Sequence, residues 1–282
     1  MKDSMMSSQT PDIAIIAGTG ALPRLVHAAL NGRALVCGLD GFAVDVAEAE
    51  SFRVERLVPF LDSLKDRGIT KVVFAGAIQR PRLDPALFDR ATAGLVPRLI
   101  GAMQAGDDAT LRAVIEIFEE WELEVIGAHE IAPDLVPSEG VLCGAVSEAD
   151  RADAARGAQI VAALGAADVG QGAVVAGGLC LAVEALPGTD AMLAFAASHA
   201  GLKNGAKGVF YKAPKPAQDL RIDLPAIGVE TVKNAAAAGL AGIAWQAGGV
   251  MLLDRAAVVA AAQEAGLFLW ARAADTTSDP RA

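Results

Sequence analysis

Short, unbroken apolar runs, separated by stretches in which apolar residues recur at helical spacing, set the rhythm of the first half of the chain. Residues 13–17, 34–38, 71–76 and 124–128 read as strands, since a strand buried on both faces appears as a continuous apolar run. Residues 22–31, 61–66, 94–104 and 107–121 keep one apolar face and read as helices. The alternation predicts βα units of the doubly wound, Rossmann-like kind around a parallel sheet.

The pattern breaks at Ala132-Pro133-Asp134-Leu135-Val136-Pro137-Ser138-Glu139-Gly140, where two prolines disfavour helix and a glycine supports a turn. A domain boundary is placed there. The second half reads as a helix over 147–164, then a hairpin of strands 173–176 and 179–184 turned by Gly177-Gly178. Strands over 207–212, 219–224, 240–245, 250–253 and 267–271 alternate with helices over 190–199, 230–238 and 255–265. The expected class is α/β, with a flexible tail over 1–10, a parallel-sheet N-terminal domain over 11–135, a distinct α/β domain over 136–275 and a second tail over 276–282. A length of 282 residues suits two such domains.

Composition narrows the function classes. The formal charge of −10 repels polyanions and argues against nucleic acid as a partner. An anionic small substrate would instead be met by local Lys or Arg side chains, by amides at helix starts, or by a bound cation. Cys37, Cys143 and Cys180 are odd in number and outside any metal spacing, which fits buried thiols in a reducing compartment. The first ten residues hold no apolar core of a signal peptide, so a cytoplasmic location is expected. Residues 234–253 are free of charge over a membrane-spanning length, but Gly239, Gly242, Gln246, Gly248 and Gly249 divide them into a helix end, two strands and a turn.

Several segments could carry chemistry. Gly18-Thr19-Gly20-Ala21-Leu22-Pro23 links the first strand to the first helix and reads either as a phosphate turn or as a plain βα turn. With Asp40 it also suggests an NAD(P)-dependent oxidoreductase, although Pro23 stands where the dinucleotide fingerprint needs glycine. Asp107-Asp108 opens a helix, and His129-Glu130 follows the fourth strand, both at the sheet edge where open α/β folds bind ligands. Each reads as a ligand contact or as capping and structural bonding. Thr189-Asp190 begins a further helix whose free amides suit an anion or an ordinary cap. Asp168, Gln171 and Glu184 lie near the apolar hairpin, where structural hydrogen bonding is the expected role for at least one.

The densest chemistry lies in residues 212–225. As an extended strand, 219–224 would put Asp219, Arg221 and Asp223 on one face, next to Lys212 and Lys215 from a proline-stiffened loop. Carboxylates beside lysines suit metal-assisted phosphate chemistry; a solvated face with surface ion pairs is the other reading.

Taken together, Ile16 to Pro23, Phe74-Ala75-Gly76, Gly106-Asp107-Asp108, Gly127-Ala128-His129-Glu130, Asp168-Val169-Gly170-Gln171, Val183-Glu184-Ala185, Gly188-Thr189-Asp190-Ala191-Met192 and the 212–225 segment resemble the LpxI family in order and spacing. The resemblance implies hydrolysis of UDP-2,3-diacylglucosamine to UMP and 2,3-diacylglucosamine 1-phosphate (lipid X) in lipid A biosynthesis, with water directed at the sugar-side phosphorus and Mg²⁺ or another divalent cation as cofactor. It further implies a Rossmann-like N-terminal domain and a distinct C-terminal domain with the lipid held in a cleft between them. Asp223 matches the family's essential aspartate, expected to bind metal or activate water, with Asp219 as a second metal ligand. Lys212, Lys215, Thr189, Asp190 and Arg221 are expected near the phosphates, and Ala21, Gly76 and Gln171 as substrate contacts. Ala77 stands where relatives can carry another residue. A lipid substrate leaves peripheral contact with the inner membrane open, as it does a homodimer, and a non-catalytic sugar-nucleotide or lipid sensor using the same residues is a third reading.

Overall fold

A computed structural model of the chain describes residues 11–78, 82–203, 205–216 and 218–274. The chain forms two compact units, Met1–Ala132 and Pro133–Ala282.

The N-terminal unit runs β1 (Ile13–Ala17), α1 (Leu22–Ala29), β2 (Leu35–Leu39), β3 (Glu50–Phe52), α2 (Leu57–Asp66), β4 (Lys71–Ala75), α3 (Arg90–Ala105), α4 (Asp107–Glu120), β5 (Glu124–Ile126) and α5 (Ala128–Ile131). Its five strands pair in parallel in the order β3-β2-β1-β4-β5. Ile16 at the centre is opposite Cys37 on one side and Phe74 on the other, so β1 is buried among its neighbours. The strand order reverses between β1 and β4, which is the switch point where open α/β sheets bind ligands.

Two helices are longer than their sequence patterns. α2 starts at Leu57, not 61, because Pro59 falls in the first turn, where a missing amide costs nothing. α3 starts at Arg90 because Asp89 caps it, its Oδ1 accepting from the amides of Ala91 and Thr92 at 2.9 and 3.0 Å. The helix also tolerates Pro97 inside it. The edge strand β3 has only three, largely exposed residues and left no apolar run to read.

The C-terminal unit runs β6 (Gly140–Cys143), α6 (Glu148–Ala166), β7 (Gly172–Ala176), β8 (Leu179–Val183), α7 (Gly188–Ser198), β9 (Val209–Lys212), β10 (Ala226–Ile227), α8 (Val229–Ala237), β11 (Gly242–Gln246), β12 (Met251–Leu252), α9 (Arg255–Glu264) and β13 (Phe268–Arg272). Six strands form one sheet, β6-β13-β11-β9-β7-β8, in which β9, β11 and β13 are parallel. The β7–β8 hairpin joins antiparallel on one side and β6 on the other. Alternation along the strands builds two cores. Phe210, Ile243, Trp245 and Leu269 pack with Leu193 of α7, Val232 of α8 and Val258 of α9. Val209, Tyr211, Ala244 and Phe268 pack with Ala154 and Val161 of α6. The sheet is therefore covered by helices on both faces.

The hairpin turn places Gly177 and Gly178 both at positive φ, +57° and +79°, as a two-residue turn between twisted strands demands. Asp153 of α6 receives both turn amides, at 3.0 and 2.7 Å. Residues 234–253 are the end of α8, β11, a glycine turn and β12, and no described helix is long and apolar enough to cross a membrane.

The strand expected over 219–224 does not form. Residues 220–222 turn, the amides of Ile222 and Asp223 both reaching the Asp219 carbonyl at 3.2 Å. The Asp219 side chain accepts from the Arg221 amide at 3.0 Å, a local bond that competes with a strand ladder. The face shared by Asp219, Arg221 and Asp223 is thus replaced by a compact loop.

Candidate functional site

β9 ends by carrying a charge into the interior. All four of its residues are buried, and Lys212 is only 4% exposed. Across the antiparallel ladder Lys212 faces Gly172, the first residue of β7. Glu184, just after β8, donates its amide to the Gly172 carbonyl at 2.8 Å. A Cβ on Gly172 would lie 2.5 Å from Glu184 Oε2, and one on Gly170 would lie 2.1 Å from the Glu184 carbonyl oxygen. Glycine at both positions lets the glutamate fold against the strand end.

Lys212 Nζ donates to Thr189 Oγ1 at 2.7 Å and stands 3.7 Å from Glu184 Oε2, an ion pair longer than a hydrogen bond. Burial pushes the Lys212 pKa below the ordinary lysine value, and the carboxylates of Glu184, Asp223 and Asp190 oppose that by favouring the ammonium. Thr189 and Asp190 occupy the first turn of α7, whose amides lack intrahelical acceptors and whose dipole favours an anion. Asp190 Oδ1 accepts from Asn234 Nδ2 of α8 at 2.9 Å.

A proline-stiffened loop after β9 brings the remaining charges. Gln218 joins two of them: its Oε1 accepts from the Lys215 amide at 2.9 Å and its Nε2 donates to Asp223 Oδ2. Lys215 Nζ donates to Asp168 Oδ1 at 2.6 Å. Asp219 takes a two-pronged bond from Arg221, Nε to Oδ1 at 3.0 Å and Nη2 to Oδ2 at 2.7 Å. Asp219 is therefore turned toward Arg221, and among the described residues no three His, Cys, Asp or Glu side chains gather as a metal set. Gln171 Oε1 and Glu184 Oε2 are buried acceptors with no hydrogen-bond partner among the described residues. Glu184 Oε2 has the Lys212 ammonium at 3.7 Å to balance its charge, whereas Gln171 Oε1 calls for a donor from elsewhere.

The N-terminal unit has its own switch point, at the carboxyl edge between β1 and β4. There Gly18 and Thr19 donate their amides to the carbonyls of Ala75 and Ala77, at 2.8 and 2.9 Å. These two amides are spent on the end of β4 and on Ala77 just beyond it, so the phosphate-turn reading loses them as donors. A Cβ on Gly18 would lie 2.5 Å from the Ala77 oxygen, and Gly76 (φ +93°) meets Thr19 as closely. The glycines here serve a close backbone crossing. Gly20, at φ +95°, then leads into Ala21, the residue before α1, and Pro23 sits in the first turn. Asp40 is engaged by Arg53 and by Ser51, which takes it up in local pairing.

Asp107 opens α4, its side chain lying outside the described residues, and Asp108 pairs with Arg112 at 2.6 Å. His129 lies in the short α5 with its Nδ1 buried and without a hydrogen-bond partner among the described residues. Glu130 caps the same turn, accepting from the Gly127 amide at 2.7 Å.

The structure thus gathers Lys212, Thr189, Asp190, Asp223 and Glu184 at the carboxyl edge of β9. Lys215, Asp219, Arg221 and Gln171 border them, and Gly18, Gly20, Ala21, Gly76, Asp107 and His129 belong to the other unit. Sequence reasoning gave Glu184 no chemical role and passed over Gln218 and Asn234. The available signal was a lone carboxylate closing an apolar strand just before Pro187-Gly188.

Two family models match the chain, the LpxI N-terminal domain over residues 12–135 and the LpxI C-terminal domain over 138–270. A UDP-2,3-diacylglucosamine pyrophosphatase LpxI of Caulobacter vibrioides is 41% identical over 269 residues, covering 91% of this chain and 96% of that protein.

Proposed function

The chain belongs to the LpxI family, and on that premise we propose that the Lys212 cluster of its C-terminal unit is where UDP-2,3-diacylglucosamine is hydrolysed to UMP and lipid X. The observation that carries the assignment is a buried ammonium, Lys212, held beside three carboxylates and the first turn of α7. A chain of net charge −10 needs such a local cation to accept a diphosphate. In a water-poor site a fixed ammonium and a helix N-terminus stabilise charge as it develops on phosphoryl oxygens.

In the proposed step a water oxygen bonds to the sugar-side phosphorus while the bond from that phosphorus to the bridging oxygen breaks, and UMP departs with the bridging oxygen. Asp223, itself held by Gln218, orients the water and takes up its proton as the new P–O bond forms, while UMP leaves with the bonding electron pair on the bridging oxygen. Lys212 faces the phosphoryl oxygens, steadied by Thr189 and Glu184. Lys215 adds a second cation from the loop. A ligand hydroxyl or amide reaching Gln171 Oε1 would satisfy that buried acceptor.

The residues present fit a divalent cation of one kind. Mg²⁺ keeps several waters and commonly takes one or two carboxylates together with substrate phosphates, so Asp223 with the diphosphate would hold it, whereas Asp219 is occupied by Arg221. When bound, it supplies charge neutralisation at the phosphoryl oxygens. A cytoplasmic location with peripheral contact at the inner membrane is part of the proposal and rests on the lipid character of the substrate.

The test is product analysis after incubating the purified chain with UDP-2,3-diacylglucosamine in ¹⁸O-water, with Mg²⁺ or with chelator. Equimolar UMP and lipid X, with the heavy oxygen in lipid X and turnover lost in chelator, support the proposal. Heavy oxygen in UMP would sink sugar-side attack, undiminished turnover in chelator would sink the cation, and no UMP at all would sink hydrolysis.

A further inference from the structure

Asp223 and Lys215 both lie outside regular structure, so neither a strand ladder nor a helix fixes where their charges stand. The backbone around them is anchored at intervals. Ala213 donates its amide to the Gln171 carbonyl at 3.1 Å, and Gly165 of α6 lies against Lys215 and Pro216, where a Cβ would come within 2.8 Å of the Pro216 Cδ. At the far end the amides of Ile222 and Asp223 share the Asp219 carbonyl. Between these anchors stands Gln218, half-buried, and its side chain spans from Lys215 to Asp223.

A main-chain N–H only donates, so the side-chain oxygen of Gln218 must be the atom that meets the Lys215 amide, at 2.9 Å. That leaves Nε2, which also only donates, for Asp223 Oδ2. The main-chain amide of Gln218 donates in turn to the Lys215 carbonyl at 3.1 Å, so Lys215 is held through both its N–H and its C=O. An ionised carboxylate at position 218 would have no hydrogen to give Asp223, and a lysine or arginine would have no acceptor for the Lys215 amide. A primary amide of this length serves both ends at once.

Hydrolysis needs that coupling. Asp223 has to meet a water at one distance and angle while Lys215 faces the same diphosphate, and a misplacement of about 1 Å in such a constellation costs on the order of a hundredfold in rate. The bond from Nε2 to an ionised oxygen is of the stronger, charge-assisted kind. We propose that Gln218 is a positioning residue for the hydrolysis, acting through Asp223: it holds the carboxylate at the angle from which it takes the water's proton, in register with Lys215. The proposal rests on the hydrolase reading of this site.

Steady-state kinetics on UDP-2,3-diacylglucosamine with Mg²⁺, together with thermal melts, test it in two variants of the full-length chain. Gln218→Glu keeps the side-chain length and the acceptor for the Lys215 amide but sets a carboxylate against Asp223; Gln218→Met removes donor and acceptor alike. In both, kcat should fall by about ten- to a hundredfold while KM stays within about threefold of wild type and the melt is unchanged, because an orientation lost in the transition state leaves ground-state binding in place. Were Gln218 only a brace for the loop through Lys215, Gln218→Glu would keep the wild-type kcat, and that result overturns the proposal. A raised KM at unchanged kcat in either variant overturns it as well, since the effect would then lie in diphosphate binding. If Gln218→Met does not fold, the equally long Gln218→Glu still decides. A wild type that releases no UMP sinks the hydrolase reading itself, whereas an active wild type with an equally active Gln218→Glu sinks the positioning role alone.

Discussion

Replacing Glu184 by Gln removes the counter-charge nearest to Lys212 while keeping the side chain's volume. The two charges lie 3.7 Å apart in the interior, and at an effective dielectric constant near 20 their attraction is about 4.5 kcal/mol. Even a third of that energy would move the lysine titration by about one pH unit. Burial already lowers the Lys212 pKa, so losing Glu184 lowers it further. The ammonium must be charged to face the diphosphate. The alkaline limb of the kcat/KM profile should therefore move to lower pH in Glu184→Gln, with the acid limb in place. Stability follows the same sign: between the depressed folded pKa and the ordinary lysine value the unfolded chain binds more protons, so stability rises with pH across that window. The variant should extend that rise to lower pH. UMP release and thermal melts, both measured across pH, read the two effects. A folded variant whose alkaline limb coincides with wild type would refute the claim that Glu184 keeps Lys212 charged.

Other outcomes follow from individual contacts. Gly172→Ala would put a methyl 2.5 Å from Glu184 Oε2 and 3.0 Å from the Phe210 ring; a loss of about 1–3 kcal/mol in denaturant unfolding is expected, with reduced turnover. Asp153→Ala strips the acceptor from the Gly177 and Gly178 amides and should cost about 1–3 kcal/mol; an unchanged unfolding midpoint would show that solvent replaces it. A thiol reagent should modify Cys180, which is exposed, while Cys37, buried and with its pKa pushed up to about 12, reacts only on unfolding. Prompt modification of Cys37 in the folded protein would contradict its burial.

The sheets were legible where burial on both faces writes itself as an apolar run, as in Ile13–Ala17 or Lys71–Ala75, and where a Gly-Gly pair between two such runs announces a hairpin. They were least legible at edges. Glu50–Phe52 is short and exposed, and Gly140–Cys143, half-exposed beside the linker prolines, gave no period. The 219–224 segment shows the sharper limit: its alternation is real, but Asp219 bonds its own neighbours' backbone and Pro225 follows, so a loop forms where period alone predicts a strand. Lys212 and Asp223 were visible as residue types, whereas the antiparallel ladder that sets Gly172 against Lys212, and with it Glu184, pairs segments forty residues apart. No local pattern encodes that.

The most direct test of the account is single-turnover hydrolysis of UDP-2,3-diacylglucosamine by wild type and by Asp223→Ala, with substrate binding measured on the same samples. Asp223→Ala should melt like wild type and still bind substrate, yet release UMP slower by at least about a thousandfold, as the loss of a residue acting in the transition state should. Wild-type-like release of UMP from folded Asp223→Ala protein would contradict it.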